Sequence, residues 1–168
     1  MLRLLETRIA EALEVLIKNN KTRIEMAKKN NISLFTVSFK QGFISPNVPI
    51  ATFMQDDKEI NFLLDTGSDN NIIDVNALKQ FKHEMLEGDE GKINLTGVGG
   101  NQEVSCCKLT FSCSGENYTQ NFLVADMKDA FGLIKKDHCI TIHGILGSVF
   151  LREHRIVLDF KNLAAYNK

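Results

Sequence analysis

The segment Ile60-Asn61-Phe62-Leu63-Leu64-Asp65-Thr66-Gly67-Ser68 runs an apolar strand straight into a carboxylate, a hydroxyl, a glycine and a second hydroxyl. Activation of a water molecule needs a carboxylate held at the floor of a cleft. A strand end packed on both sides is a stiffer mount for it than a free loop. Gly67 lets the backbone turn sharply and approach a neighbour closely. The hydroxyls of Thr66 and Ser68 can donate hydrogen bonds, one to the carboxylate and one across to a partner backbone, which would fix its orientation. The plain alternative for Asp65, a turn or helix-capping aspartate, does not account for the apolar run before it.

Two other constellations compete with this one. His138-Cys139 together with His143, and with His83 or His154, contains metal-ligand types, but the two close-set ligand pairs of a structural zinc site are absent. We therefore expect neither a metal nor a cofactor, and read the histidines as surface or packing residues. A Ser-His-Asp hydrolase is disfavoured because the Gly-x-Ser-x-Gly turn is missing.

The elements that must hold Asp65 are strands. Short β-rich runs separated by turn residues span Leu34 to Phe39, Val48 to Met54, Ile60 to Leu64, Ile93 to Thr96, Val104 to Ser112, Tyr118 to Val124 and Arg155 to Phe160. Many short strands with little helix between them predict an all-β sandwich or barrel of antiparallel type. Two short helices are expected near Val75 to Phe81 and Ser148 to Glu153, and residues 161–166 could add a hairpin. Pro46 and Pro49 flank the start of the second strand, where a missing amide donor costs little.

Before residue 31 the texture differs. Leu2, Leu5, Ile9, Leu13 and Leu16 recur in steps of three and four between charged residues, the pattern of an amphipathic helix. Its stripe would pack on its own domain, form a dimer contact or cover a cleft as a pro-segment. The expected organisation is a helical extension over 1–31 and a β domain over 32–168.

Composition narrows the function classes. Of 168 residues, 43% are hydrophobic and 24% charged, which fits a folded globular chain and not a disordered or collagenous one. A formal net charge of -1 gives no field to attract phosphate backbones or an anionic membrane surface, so nucleic acid and membrane are not expected partners. The charged start and the lack of a long apolar run imply a cytoplasmic location. Cys106, Cys107, Cys113 and Cys139 are read as buried reduced thiols on strands, because an adjacent cysteine pair is an awkward disulfide framework.

The run Leu63-Leu64-Asp65-Thr66-Gly67-Ser68 resembles the motif of the retroviral-type (retropepsin-like) aspartic peptidases, two apolar residues followed by Asp-Thr-Gly-Ser. Two later segments resemble that family's landmarks in the same order. Leu95-Thr96-Gly97-Val98-Gly99-Gly100 is similar to the hairpin flap that folds over substrate, and His143-Gly144-Ile145-Leu146-Gly147 to the apolar pair and glycine that cross behind the catalytic loop. The resemblance implies a closed acid-protease barrel with an added N-terminal helical segment. It makes Asp65 the catalytic residue, Thr66, Gly67 and Ser68 its support, Gly97, Val98, Gly99 and Gly100 the flap, and Ile145, Leu146 and Gly147 the crossing strand.

The chemistry so implied uses two carboxylates sharing one proton and holding one water. No second Asp-Thr-Gly or Asp-Ser-Gly occurs in the chain. The resemblance therefore implies a homodimer acting as an endopeptidase on a peptide or protein substrate, an extended chain with bulky apolar side chains beside the cut. The alternative within the same fold is a catalytically silent dimerisation or peptide-binding module. The chain departs from viral members in its N-terminal segment, in the absence of an aromatic residue from the Gly97 to Gly100 turn, and in the charged Asp69 beside the motif.

Overall fold

In strand β3 (Lys58–Leu64) the residues Ile60, Phe62 and Leu64 are buried while Asn61 and Leu63 are only half-covered, the period-two alternation of a strand with one face on the core. The same logic sets β2 (Ile50–Gln55) and β8 (Glu116–Ala125), where Tyr118, Gln120 and Phe122 point inward. The computed structural model describes residues 36–39, 42, 47–87, 91–97 and 100–167. The helical extension read over 1–31 lies outside the described residues.

The remaining strands are β1 (Thr36–Ser38), β4 (Ile72–Asp74), β5 (His83–Met85), β6 (Lys92–Gly97), β7 (Gly100–Cys113), β9 (Gly144–Leu146), β10 (Ile156–Asp159) and β11 (Ala164–Asn167). Helices α1 (Val75–Leu78), α2 (Lys128–His138) and α3 (Ser148–Glu153) interrupt them. None of these is long and apolar enough to cross a membrane.

Neighbouring strands run β2, β3, β9, β4, β8, β7, and a Met54–Ser112 pairing joins β7 back to β2, so these six close into a barrel. This is the all-β, closed acid-protease barrel that the motifs imply. β5 and β6 both hang from β7, and β1, β11 and β10 form a separate three-stranded sheet. The barrel interior is aromatic: Phe53, Phe62, Phe111, Phe122 and Phe150 are all essentially inaccessible. Ring centroids lie 5.1 Å apart for Phe62–Phe111, 5.2 Å for Phe53–Phe111 and 5.5 Å for Phe62–Phe122. Each such ring contributes about 1.5–3 kcal/mol by leaving water, so this cluster is the platform on which β3 and β9 rest.

Several elements differ from the sequence expectation. The barrel is not purely antiparallel, since β3 pairs with β9 and β4 with β8 in parallel. β4, β5 and α2 had no assignment, β9 is expected only as the crossing segment that the resemblance implies, and α1 ends at Leu78 with Phe81 already beyond it. Residues 161–166 do close a hairpin, with β10 and β11 paired from Ile156–Asn167 to Asp159–Ala164. Cys106, Cys107 and Cys113 are buried free thiols on β7, but Cys139 is exposed and caps α2 at φ 58°, off any strand. The C-cap of a helix favours this left-handed geometry, which no strand would allow.

Candidate active site

Asp65 sits at the end of β3, half-buried. Its backbone N–H donates to the Leu146 carbonyl at 3.0 Å, carrying the β3–β9 ladder one residue past the strand. A tight turn follows, and it brings the Gly67 N–H onto Asp65 Oδ1 at 2.8 Å. A Cβ on Gly67 would stand 3.2 Å from that same oxygen, so a side chain there would crowd the carboxylate and shift it by a few tenths of an ångström. The carboxylate is thus oriented by a backbone donor, and not by a hydroxyl as the sequence reading expected. Ser68 Oγ instead donates to the Asn70 carbonyl at 2.7 Å, because the turn points it along the loop. Thr66 is exposed.

The loop from Asp65 to Asn71 joins β3 to β4, and β9 lies between those two strands. It pairs in parallel with β3 (Leu63–Ile145, Leu64–Leu146) and antiparallel with β4 (Ile72–Ile145, Ile73–Gly144). The loop therefore straps across the end of β9. Ser148 N–H donates to Ser68 O at 2.7 Å and Gly147 N–H to Asn71 Oδ1 at 3.0 Å. Two glycines permit so close a crossing: a Cβ at Gly144 would lie 2.4 Å from Ile72 O, and one at Gly147 would lie 2.4 Å from Asn70 O. Asp65, Thr66, Gly67 and Ser68 are in this way brought against Ile145, Leu146 and Gly147. Gly97 and Gly100 pair with each other at the end of the β6–β7 hairpin, a separate element, and Val98 and Gly99 lie outside the described residues.

Two supporting residues had no place in the sequence reading. Asn71, 2% exposed, uses its Oδ1 on Gly147 N–H and its Nδ2 on Asn121 O at 3.2 Å, tying the loop both to β9 and to β8. Asp74, 8% exposed, accepts from Asn76 N and Ala77 N with one oxygen and from Met127 N, at 3.0 Å, with the other. The Asp-Asn-Asn run after the motif was the one available signal for Asn71.

The histidines occupy separate places. His143 is buried, its Nδ1 accepts the Asn61 N–H at 2.9 Å, and burial pushes its imidazole below the ordinary histidine range. His154 packs on the rings of Phe150 and Tyr118 and is lowered for the same reason. His83 is exposed and His138 half-buried. Among the described residues no group of three His, Cys, Asp or Glu side chains is placed to hold a metal ion.

No family model matches the chain, and no curated protein matches it. Solved structures do. The EIAV protease, complexed with the inhibitor HBY-793, is 27% identical over 63% of this chain and 86% of its own, with a TM-score of 0.43. The retroviral protease-like domain of Ddi1 from Leishmania major is 13% identical over 70% of this chain and 90% of its own, TM-score 0.41. A retropepsin-like aspartic protease from Rickettsia conorii is 13% identical over 80% and 91%, TM-score 0.44. The chain is similar to retropepsin-like aspartic proteases in this sense, and we rest the functional reading on the geometry of the Asp65 loop.

Proposed function

We propose that this chain is one subunit of an aspartic endopeptidase that works as a homodimer. The observation that carries the reading is the Asp65 loop: a carboxylate at a strand end, oriented by the Gly67 N–H and held from behind by β9 through Leu146 O, Gly147 and Ser148. A side chain so placed loses little freedom when substrate binds, which is what water activation requires.

One carboxylate is half of the machinery. Two carboxylates a few ångströms apart cannot both ionise cheaply, so one stays protonated and polarises the scissile carbonyl while the other takes a proton from the attacking water. With a single Asp-Thr-Gly per chain, the second carboxylate is the Asp65 of a symmetry-related copy, the arrangement a two-fold axis through the site provides. The exposed Thr66 is free to face that copy. The hairpin ending in Gly97 and Gly100 serves as the flap.

Asp65→Asn is nearly isosteric and retains an acceptor for the Gly67 N–H. We expect it to keep the dimer and to lower hydrolysis of a peptide library by at least about a thousandfold. Undiminished cleavage by that variant removes Asp65 from the chemistry. Tight peptide binding by the unmutated protein without release of any fragment would make the chain a silent module of the same fold.

A further inference from the structure

The strands around Asp65 carry two apolar faces. Leu64, Leu146, Ile73 and Phe62 belong to the barrel interior. On the opposite face Ile50 pairs with Leu63, Leu63 with Ile145, and Ile145 with Ile72, a row running across β2, β3, β9 and β4. Asp65 follows Leu63 by two residues while its N–H continues the ladder, so its side chain shares the face of this row.

Helix α2 is packed on that row. Phe131 and Ile142 are buried with Ile50 and Ile145, and Met127, Ile134 and Ile140 close around them. Met127, Phe131 and Ile134 recur at steps of four and three, one face of a helix. Both ends are fixed. Met127 N–H is held by Asp74, and beyond the helix Thr141 O accepts from Asn61 Nδ2 at 2.9 Å and His143 N–H donates to Asn61 O at 2.9 Å. A segment tied at both ends to β4 and β3 is a wall and not a flap hung from one side. Its cover is partial: Ile145 is 7% exposed, while Leu63 and Ile72 keep intermediate exposure.

We propose that α2 forms a fixed wall of the substrate channel beside Asp65, and that Phe131 is the residue that limits the volume of the substrate side chain next to the scissile bond. Phe131 is buried in one cluster with Ile50, Ile142 and Ile145, against which Leu63 and Ile72 are only partly covered. The room left over Leu63 and Ile72 suits small or unbranched apolar side chains, in place of the bulky ones expected from sequence. This rests on the peptidase reading for its substrate, but the wall itself is read from packing alone.

The test uses the full chain and a peptide series with alanine, leucine, phenylalanine or naphthylalanine before the cut, assayed for kcat/KM. The same peptides with a reduced scissile amide are titrated calorimetrically, so that binding is read without catalysis. Because a hydrophobic pocket discriminates roughly tenfold or more per methylene-sized change, Phe131→Ala should raise the naphthylalanine-to-alanine ratio at least about tenfold in both assays. Phe131→Leu should give an intermediate ratio and serves if the alanine variant does not fold. Leu133→Ala, on the exposed side of α2, should leave the ratio unchanged. A shifted binding ratio in a protein that never cleaves would sustain the wall and end the peptidase reading. Unchanged ratios in both Phe131 variants, or no binding by any of the proteins, would overturn the wall.

Discussion

Adding one methyl group at Gly147 tests the strap that holds the Asp65 loop. Its backbone angles, φ -84° and ψ -174°, suit any residue, so alanine there carries no conformational penalty. The obstacle is contact: the new Cβ would lie 2.4 Å from Asn70 O and 2.7 Å from Ser68 O, both backbone atoms that no rotamer change can move. Ordinary contact begins near 3.4 Å, so the loop and β9 must separate by about 1 Å. That movement stretches Ser148 N–H to Ser68 O and Gly147 N–H to Asn71 Oδ1, now 2.7 and 3.0 Å. Overpacking costs about 1–3 kcal/mol and each weakened buried hydrogen bond about 1 kcal/mol, so Gly147→Ala should lose about 3–5 kcal/mol. For a chain of this size the thermal midpoint would fall by roughly 6–20 °C. Gly132→Ala is the matched control: it adds the same methyl inside α2, where nothing lies within 4 Å. It should raise stability by about 0.5–1 kcal/mol, through helix propensity. Both are measured by thermal and urea unfolding at one protein concentration, since association would shift the midpoint. A Gly147→Ala midpoint equal to the parent's, or no difference in sign between the two glycines, would refute the strap.

Two further measurements probe groups that burial perturbs. His143 accepts the Asn61 N–H, so only its neutral ring fits, and burial lowers its affinity for a proton in the fold; the unfolded chain then binds the proton first, and stability present above about pH 6.5 should decline as pH falls through it. Urea midpoints from about pH 8 to pH 5 should lose up to ~1.4 kcal/mol per pH unit per histidine, His154 contributing in the same sense, and the slope should shrink in His143→Gln; identical slopes would contradict this. Burial also raises the thiols of Cys106, Cys107 and Cys113, that of Cys107 to about 11. At mildly alkaline pH a thiol reagent should therefore label Cys139 alone in the folded protein and all four after denaturation; rapid labelling of a second site in the native state would show β7 to be open.

How much of this was legible follows from the range of the contacts. Asp65 to Ser68 could be read because carboxylate, turn glycine and preceding apolar run lie within nine consecutive residues from Ile60. The three residues of β9 carry almost no local signal; they form a strand because Gly144 and Gly147 let them slide between β3 and β4, partners lying some seventy to eighty positions earlier in the sequence. The donor to the carboxylate was misassigned for a related reason. Gly67 and Ser68 lie two and three residues past Asp65, and only the sharpness of the turn decides that the amide, and not the hydroxyl, meets Oδ1. α2 did have a signal in the Met127, Phe131, Ile134 spacing and in the basic last turn of Lys135, Lys136 and His138. It was obscured by Gly132 in the middle and by the run of strands on either side.

Asp74 shows the same division inside one side chain. Oδ1 caps α1 through Asn76 N at 2.9 Å and Ala77 N at 2.8 Å, a local role that an aspartate before a short helix commonly plays. Oδ2 reaches Met127 N, 53 residues later, and so fixes the start of the helix that walls the candidate site. An alanine at the same position would remove both, but the losses are of different kinds: the first frays the single turn of α1, whereas the second unties α2 from β4 and with it the position of Phe131. A carboxylate buried to this degree persists because three backbone donors replace the water it has lost. The geometry beside Asp65 is therefore set partly by an acidic residue that touches neither the loop nor, on this reading, the substrate.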